Sequence, residues 1–177
     1  MEITIIYSNP HNDMSLESFL SDFKKKSNSK IFDLSQMNLK YCTGCWSCWY
    51  KTPGKCSQKD GIEDIYRSIL CSDLLLFVSP LLMGSISAEL KQLIERLIPL
   101  IHPYMAIVDK EIHHKKRYKK YPRIAAFLGI EKDTDDEDRE LNKEYFSRLV
   151  KNFYSRVKFI KFSDEVMKEV SNELLTN

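Results

Sequence analysis

Five consecutive apolar residues, Leu74-Leu-Leu-Phe-Val78, make a segment with no polar face. A run of that length suits a strand, and a strand apolar on both faces needs a layer of structure on each side, as in the middle of a parallel sheet. The rest of the chain is patterned to supply those layers. Ile3 to Tyr7, Ile31 to Leu34, Ile124 to Ile130 and Val157 to Phe162 are further strand-forming runs. Between and after them, apolar residues recur at helical spacing: Leu16, Phe19, Leu20 and Phe23; Ile62, Ile65, Tyr66, Ile69 and Leu70; Leu90, Leu93, Ile94, Leu97 and Ile98; Leu141, Tyr145, Leu149 and Phe153; and Val166, Val170 and Leu174. Ser15 is expected to cap the first helix, and Asp60 with Glu63 to form a capping box on the second. Five strands joined through helices imply an α/β fold of three layers, because each crossover must return the chain to the same edge of a parallel sheet.

In such sheets ligands sit outside the carboxyl ends of the strands, where the strand order reverses. Loops 8–15, 79–87 and 129–136 belong to that edge, and the segment after the second strand reaches the same rim. Residues 102–122 interrupt the alternation with three of the four histidines and the basic stretch His113-His-Lys-Lys-Arg-Tyr-Lys-Lys120. Solvated charge is the expected role of this stretch and of the acidic run Glu131 to Glu140. The alternatives are a cover over the crevice, a lure for a cofactor phosphate, or pairing with the acidic run of a second subunit. His113 and His114, being adjacent, point to different sides and are not expected to share a metal.

At 177 residues the chain is long enough for one domain, 1–177, with an insertion at about 102–122. A net charge of +2 gives no strong pull toward nucleic acid or membrane. The opening residues lack a signal peptide's basic start, and no apolar run is long enough to span a bilayer. A cytoplasmic location is expected, and there the cysteines are not expected to form structural disulfides.

Four of the five cysteines, Cys42, Cys45, Cys48 and Cys56, fall within fifteen positions. Each two-residue gap lets neighbouring thiolates turn toward one centre, and the Gly54-Lys55 turn can bring Cys56 back to them. Thiolates so gathered hold zinc or another soft metal, hold an iron–sulfur cluster, or exchange electrons; packing as small buried side chains is the alternative. Trp46 and Trp49 either shield such a centre, stack on a flat ligand or belong to the core. Cys71, near a helix end, is expected to pack.

Cys42-x-x-Cys45-x-x-Cys48-Trp, Lys51-Thr-Pro-Gly-Lys-Cys56 followed by Asp60, Ser72-Asp73 and Ser79-Pro-Leu-Leu-Met-Gly-Ser-Ile-Ser-Ala88, with Lys91 and Glu95-Arg96, occur in that order. In this combination the chain resembles the flavodoxin-like NADPH-dependent FMN reductase family, including its iron–sulfur flavoprotein branch. The resemblance spans roughly residues 1–101 and continues beyond them in strand–helix order. It implies a flavodoxin-like sheet of five parallel strands in the order 2-1-3-4-5. It also implies FMN at the carboxyl edge, with Ser8, His11 and Ser15 around its phosphate and Pro80, Leu81, Leu82, Gly84 and Ser85 along its ring. A 4Fe–4S cluster on Cys42, Cys45, Cys48 and Cys56 follows for the iron–sulfur branch. The first loop departs from the family: it reads Tyr7-Ser8-Asn9-Pro10 and Asp13-Met14 where relatives have Gly-Ser-Pro and Gly-Asn. A carboxylate at position 13 is unfavourable beside a phosphate.

The function these residues imply is an FMN-dependent NAD(P)H oxidoreductase that passes electrons to a quinone, another small molecule or a protein, and it needs no acid–base dyad from the chain. The alternatives are an electron carrier with both FMN and a 4Fe–4S cluster, and a non-catalytic flavodoxin-shaped protein with zinc on its cysteine loop. A homodimer or larger homo-oligomer is also implied, with residues 102–122 as its arm.

Overall fold

The computed structural model describes residues 1–26 and 29–164. In chain order the elements are β1 (Ile3–Tyr7), α1 (Met14–Lys26), β2 (Ser29–Asp33), the one-turn α2 (Ser47–Tyr50), α3 (Ile62–Cys71), β3 (Leu74–Leu82), β4 (Ser85–Ile86), α4 (Ala88–Glu95), β5 (Ile101–Val108), β6 (Glu111–Lys116), β7 (Arg123–Gly129), α5 (Asp136–Asn152) and β8 (Val157–Phe162). The main sheet runs β2-β1-β3-β7-β8, all parallel, which is the expected order 2-1-3-4-5 when only its five long strands are counted. The short β4 folds back antiparallel on the end of β3, and β5 with β6 forms a separate hairpin over 101–116. The helix expected around Val166, Val170 and Leu174 lies outside the described residues.

Side chains of a strand alternate between faces, so each strand feeds two cores. Ile3, Ile5, Leu74, Leu76, Val78, Ala125 and Phe127 meet Leu16, Phe19, Leu20 and Phe23 of α1 on one face. Ile6, Leu75, Phe77, Ala126 and Leu128 meet α3, α4 and α5 on the other. β3 contributes fully buried residues to both cores, as its unbroken apolar run requires.

Several local expectations change. The residue that caps α1 is Asp13, whose Oδ1 accepts the Ser15 N–H at 2.8 Å; Ser15 lies inside the first turn. The capping box of Asp60 and Glu63 does not form, because Gly61 in the left-handed region precedes α3 and Glu63 pairs with Lys59 at 2.8 Å. Pro80 lies within β3, opposite Gly129, and the turn that follows is made by Met83 and Gly84, both with positive φ as a two-residue hairpin loop demands. Cys71 is exposed, since it ends α3 away from the Ile62, Ile65, Tyr66 and Ile69 stripe.

The stripe of α5 is rotated by about one residue. Asn142, Phe146, Val150 and Phe153 face the core, while Leu141 is 59% exposed and Tyr145 and Leu149 are half-buried. Two rows with the same spacing compete here, and the inward row is disguised by its polar first member. Asn142 is inside because its Nδ2 donates to the Gly84 carbonyl at 2.9 Å, satisfying the β3–β4 hairpin from below. The acidic start of this helix also has a structural role: Asp135 and Asp138 form a reciprocal capping box at its N-terminus, where negative charge is favoured. In urea denaturation, Phe146→Ala should cost about 3–5 kcal/mol, whereas Leu141→Ala should stay within about 0.5 kcal/mol; equal losses would place Leu141 in the core.

Candidate functional site

Strand order reverses between β1 and β3, so the crevice above their carboxyl ends is where a ligand belongs. Its first wall is the loop after β1. Ser8 is 1% exposed; its N–H bonds the Val78 carbonyl at 2.9 Å, and its hydroxyl meets Ser87 Oγ at 2.6 Å and Glu89 Oε2 at 3.3 Å. Asn9 turns inward as a brace: Oδ1 accepts from the Asp13 N–H at 2.8 Å, and Nδ2 donates to the Asp13 carbonyl and to Glu17 Oε1, each at 3.2 Å. Asp13 Oδ1 takes both the N–H and the hydroxyl of Ser15, at 2.8 and 2.7 Å. Its Oδ2 rests on Gly129, where a Cβ would lie only 2.5 Å away. Tyr7 donates to Glu17, and burial together with that carboxylate holds its phenol far above the ordinary range. His11 is exposed, 3.9 Å from Glu131.

Ser8, His11 and Ser15 thus share one loop but point to three different partners. The N-terminus of α1 nonetheless serves an anion, and that anion is the chain's own carboxylate. The N–H and hydroxyl of Ser15 that hold Asp13 are the donor types a phosphate uses at a helix N-terminus, so a phosphate fits there once Asp13 leaves. Asp13, expected only as an unfavourable charge, is the centre of this arrangement, and Asn9 and Glu17 are additions to the expected set. Asp and Asn at the mouth of a helix after a strand were the available signal.

The second wall is the β3–β4 hairpin. Pro80 and Leu81 are buried, Leu82 and Gly84 are half-buried, and Ser85 is exposed. Met83, at the tip, is 94% exposed. Of the expected ring-lining set, only Leu82, Gly84 and Ser85 therefore offer surface, and Met83 joins them. Leu81 pairs with Ile86 inside the core.

The four cysteines line one narrow cleft, together with Trp46, Ser57 and Arg96. The chain returns as expected: the Gly54 N–H bonds the Cys48 carbonyl at 3.0 Å, and Gly54 lies so close to the Tyr118 hydroxyl that a Cβ would sit 2.9 Å from it. Cys42 and Cys45 are exposed, Cys56 is half-buried and Cys48 is buried. Among the described residues no group of three or more Cys, His, Asp or Glu side chains is drawn together enough to hold a metal ion. The thiols face a shared space without meeting at a point. Trp49 anchors the segment, its Nε1 donating to the carbonyls of Ile98 and Ile101 at 3.1 and 3.2 Å. Trp46 stays half out of the protein and stacks parallel to Tyr50. His113 and His114 are engaged elsewhere, with Glu111 and with the His102 carbonyl.

Arg96 closes the cleft from below. Its guanidinium, 1% exposed, grips Asp60 through both terminal nitrogens (2.5 and 3.1 Å), and donates to the Lys40 carbonyl at 2.7 Å and to Cys56 Sγ at 3.3 Å. Burial would raise the Asp60 pKa, but Arg96 and the Lys40 N–H overcome it and leave the carboxyl below its usual range. In the sequence Arg96 was visible as a charge three residues after Leu93, on the apolar face of α4. The four-thiol donor set and the Arg96 N–H on Cys56 Sγ both fit an iron–sulfur centre, whose sulfurs accept hydrogen bonds.

A family model described as NADPH-dependent FMN reductase matches residues 1–116, from β1 to the end of the β5–β6 hairpin. The chain belongs to this family. Among curated proteins it is similar to an iron–sulfur flavoprotein of Archaeoglobus fulgidus, 33% identical over 69 residues, which are 39% of this chain and 30% of that protein. It is also similar to one of Clostridioides difficile, 35% identical over 104 residues, covering 54% and 45% respectively. The chain thus spans less than half the length of the curated relatives it matches. Among solved structures it has the fold of an NAD(P)H:quinone oxidoreductase from Methanothermobacter marburgensis, with TM-score 0.60, 15% identity, and coverage of 97% of this chain and 91% of that one. An FMN-dependent NADH-azoreductase of Bacillus anthracis, in complex with FMN, matches at TM-score 0.60 and 14% identity over 99% of both chains.

The cysteines differ in acidity. Hydrogen bonds from the Ser57 hydroxyl and from the backbone and side chain of Ser47 bring Cys45 down to about 6, while burial and then the nearby Cys56, Cys45 and Cys42 push Cys48 up to about 11. The thiolate is the nucleophile. In reduced, metal-free protein at neutral pH, iodoacetamide should therefore label Cys45 first and Cys48 last. Mass spectrometry of timed samples checks this, and uniform labelling would contradict it.

Proposed function

We propose that the chain is a flavin-dependent oxidoreductase of the cytoplasm, which takes electrons from NADH or NADPH on FMN and releases them through a 4Fe–4S cluster on Cys42, Cys45, Cys48 and Cys56. The final acceptor would be a quinone, another small molecule or a protein. The observation that carries this reading is the joint presence, in a chain of the FMN reductase family, of a switch-point crevice and a four-cysteine cleft connected by α4. From Ser87 at the crevice to Arg96 at the cleft, α4 rises about 13 Å. The names of the curated relatives and the FMN in the azoreductase structure support both centres.

When bound, FMN takes up hydride and gives up electrons singly, and a 4Fe–4S cluster relays single electrons. The chain's own residues bind, orient and enclose. Ser15 with the first N–H groups of α1 would face the phosphate once Asp13 gave way, and Ser8 and His11 would join them only on leaving Ser87, Glu89 and Glu131. Leu82, Gly84 and Ser85, with Met83 at the tip, would form the wall beside the ring and supply backbone hydrogen bonds, while the buried Pro80 and Leu81 would hold that wall from inside. Hydride transfer needs no proton donor from these residues.

A second reading, an electron carrier with little hydride transfer of its own, is favoured by one observation. Asp13, Glu17, Glu89 and Glu131 edge the crevice, and a polyanionic dinucleotide is repelled by such a rim. Reduction by a low-potential iron–sulfur donor without NAD(P)H turnover would select it.

Folded protein supplied with FMN should oxidise NADH or NADPH; protein that neither binds FMN nor consumes the nicotinamide overturns the leading reading. Asp13→Asn keeps a good N-cap but removes the charge, and should tighten FMN on the order of tenfold in a fluorescence titration while leaving riboflavin unchanged. We also assign the β5–β6 hairpin as a homodimer arm, because Ile107 and Ile112 pair across it and are 80% and 75% exposed. Light scattering after size exclusion should give a dimer that Ile107→Lys with Ile112→Lys dissociates. A monomeric parent chain removes this part.

A further inference from the structure

We propose that Arg96 is the positioning and charge-setting residue of the four-cysteine centre: it closes the cysteine loop at its base and fixes a positive charge against Cys56 that governs the reduction potential. The inference rests on the cluster assigned above to Cys42, Cys45, Cys48 and Cys56.

A guanidinium that is 1% exposed is costly to bury unless its charge is paired and its donors are used. Asp60, whose side chain is 4% exposed, supplies the single negative charge that balances it. Stability alone needs nothing more, yet the geometry goes further. One N–H goes to Cys56 Sγ at 3.3 Å, and the fifth donor, Nε–H, is buried with no partner. A donor beyond those the carboxylate uses, directed at a ligand sulfur, suits a centre that carries net negative charge.

The same side chain ties both ends of the loop. Lys40, two residues before Cys42, gives Arg96 its carbonyl and gives Asp60 its N–H at 2.8 Å; Asp60 lies four residues after Cys56. Arg96 is itself held at the end of α4, where its own carbonyl accepts the Tyr66 hydroxyl at 2.5 Å. The backbone of Arg96 is thus fixed by α3, and its guanidinium by Asp60 and the Lys40 carbonyl.

Reduction adds one electron to the cluster, breaks no bond and makes the centre more negative. A fixed cation and a hydrogen bond to a ligand sulfur both favour that state, so they raise the potential. Lysine would keep a charge but lose the forked contact with Asp60 and the bond to Cys56. A neutral Arg96→Gln/Asp60→Asn pair removes both charges together and leaves no unpaired buried ion.

The test uses the full chain, reconstituted anaerobically with ferrous iron and sulfide, as wild type, Arg96→Lys and the neutral pair. Iron and sulfide per chain, the thermal midpoint, and the reduction midpoint in a stepwise dithionite reduction followed by absorbance and electron paramagnetic resonance are measured. The wild type should have the highest reduction midpoint and Arg96→Lys an intermediate one. The neutral pair should have the lowest, its cluster being on the order of tenfold harder to reduce. A residue with a merely structural role would lower the thermal midpoint and leave the potential unmoved. If the neutral pair does not fold, the comparison of wild type with Arg96→Lys decides. Clusters that assemble with one common potential overturn this inference and leave the cluster reading standing. A wild type that binds FMN yet takes up no iron and sulfide overturns the cluster reading, and this inference with it.

Discussion

The parallel pairing of β3 with β1 on one side and β7 on the other is the constraint from which the rest of the structure follows. β3 is buried along almost its whole length, so it must stand in the middle of the sheet and be covered on both faces. Parallel pairing then puts the carboxyl ends of β1, β3 and β7 on one edge. The three loops that leave this edge touch one another: Ser8 reaches Ser87 and Glu89, Asp13 lies on Gly129, and Asn142 of α5 holds the Gly84 carbonyl. Residues 79 and 58 positions apart in the chain, Ser8 with Ser87 and Gly84 with Asn142, are thus brought within hydrogen-bond reach around the end of one buried strand.

Electrostatics divides the rim into two regions of opposite character. At the crevice, carboxylates from α1, α4 and the loop after β7 dominate, and one of them occupies the positive end of the α1 dipole. At the cysteine cleft the fixed charges are a buried Arg96–Asp60 pair, whose cationic partner is the one bonded to Cys56. α4 sets the separation of the two regions, because its first residue follows the hairpin and its last residue adjoins Arg96. Among the described residues no helix is long and apolar enough to cross a membrane.

The cysteine segment shows how little regular structure a reactive loop requires. Only the single turn of α2 is helical between Gln36 and Gly61, and the backbone takes left-handed φ at Gly44, Trp46, Gly54 and Gly61. Its position is imposed from outside, by Trp49 on the Ile98 and Ile101 carbonyls and by Arg96 at the base. The loop is held at its ends, and its thiols differ in surroundings: Cys56 takes a bond from Arg96, Cys45 meets Ser57, and Cys48 is buried.

Strand and helix order, the buried character of β3 and the 42–56 cysteine spacing were all legible in the sequence, because each depends on residues close together along the chain. In the α5 stripe the expected Phe153 is buried, but Leu141, Tyr145 and Leu149 carry the same period as the more deeply buried Asn142, Phe146 and Val150, and the bond that takes Asn142 inside goes to the distant Gly84 carbonyl. Asp60 reads locally as a helix cap, and Ser15 likewise; their roles changed when Arg96 arrived from 36 residues away and Asp13 took the cap. The sequence by itself determined which elements form and which reactive groups the chain carries. The tertiary structure alone decided which carboxylate fills the helix mouth, which cation lies under the cysteines and which face of α5 is buried. Periodicity and propensity act over a few residues, whereas the pairing of a buried charge or an orphan carbonyl is settled only by what distant chain brings within hydrogen-bond reach.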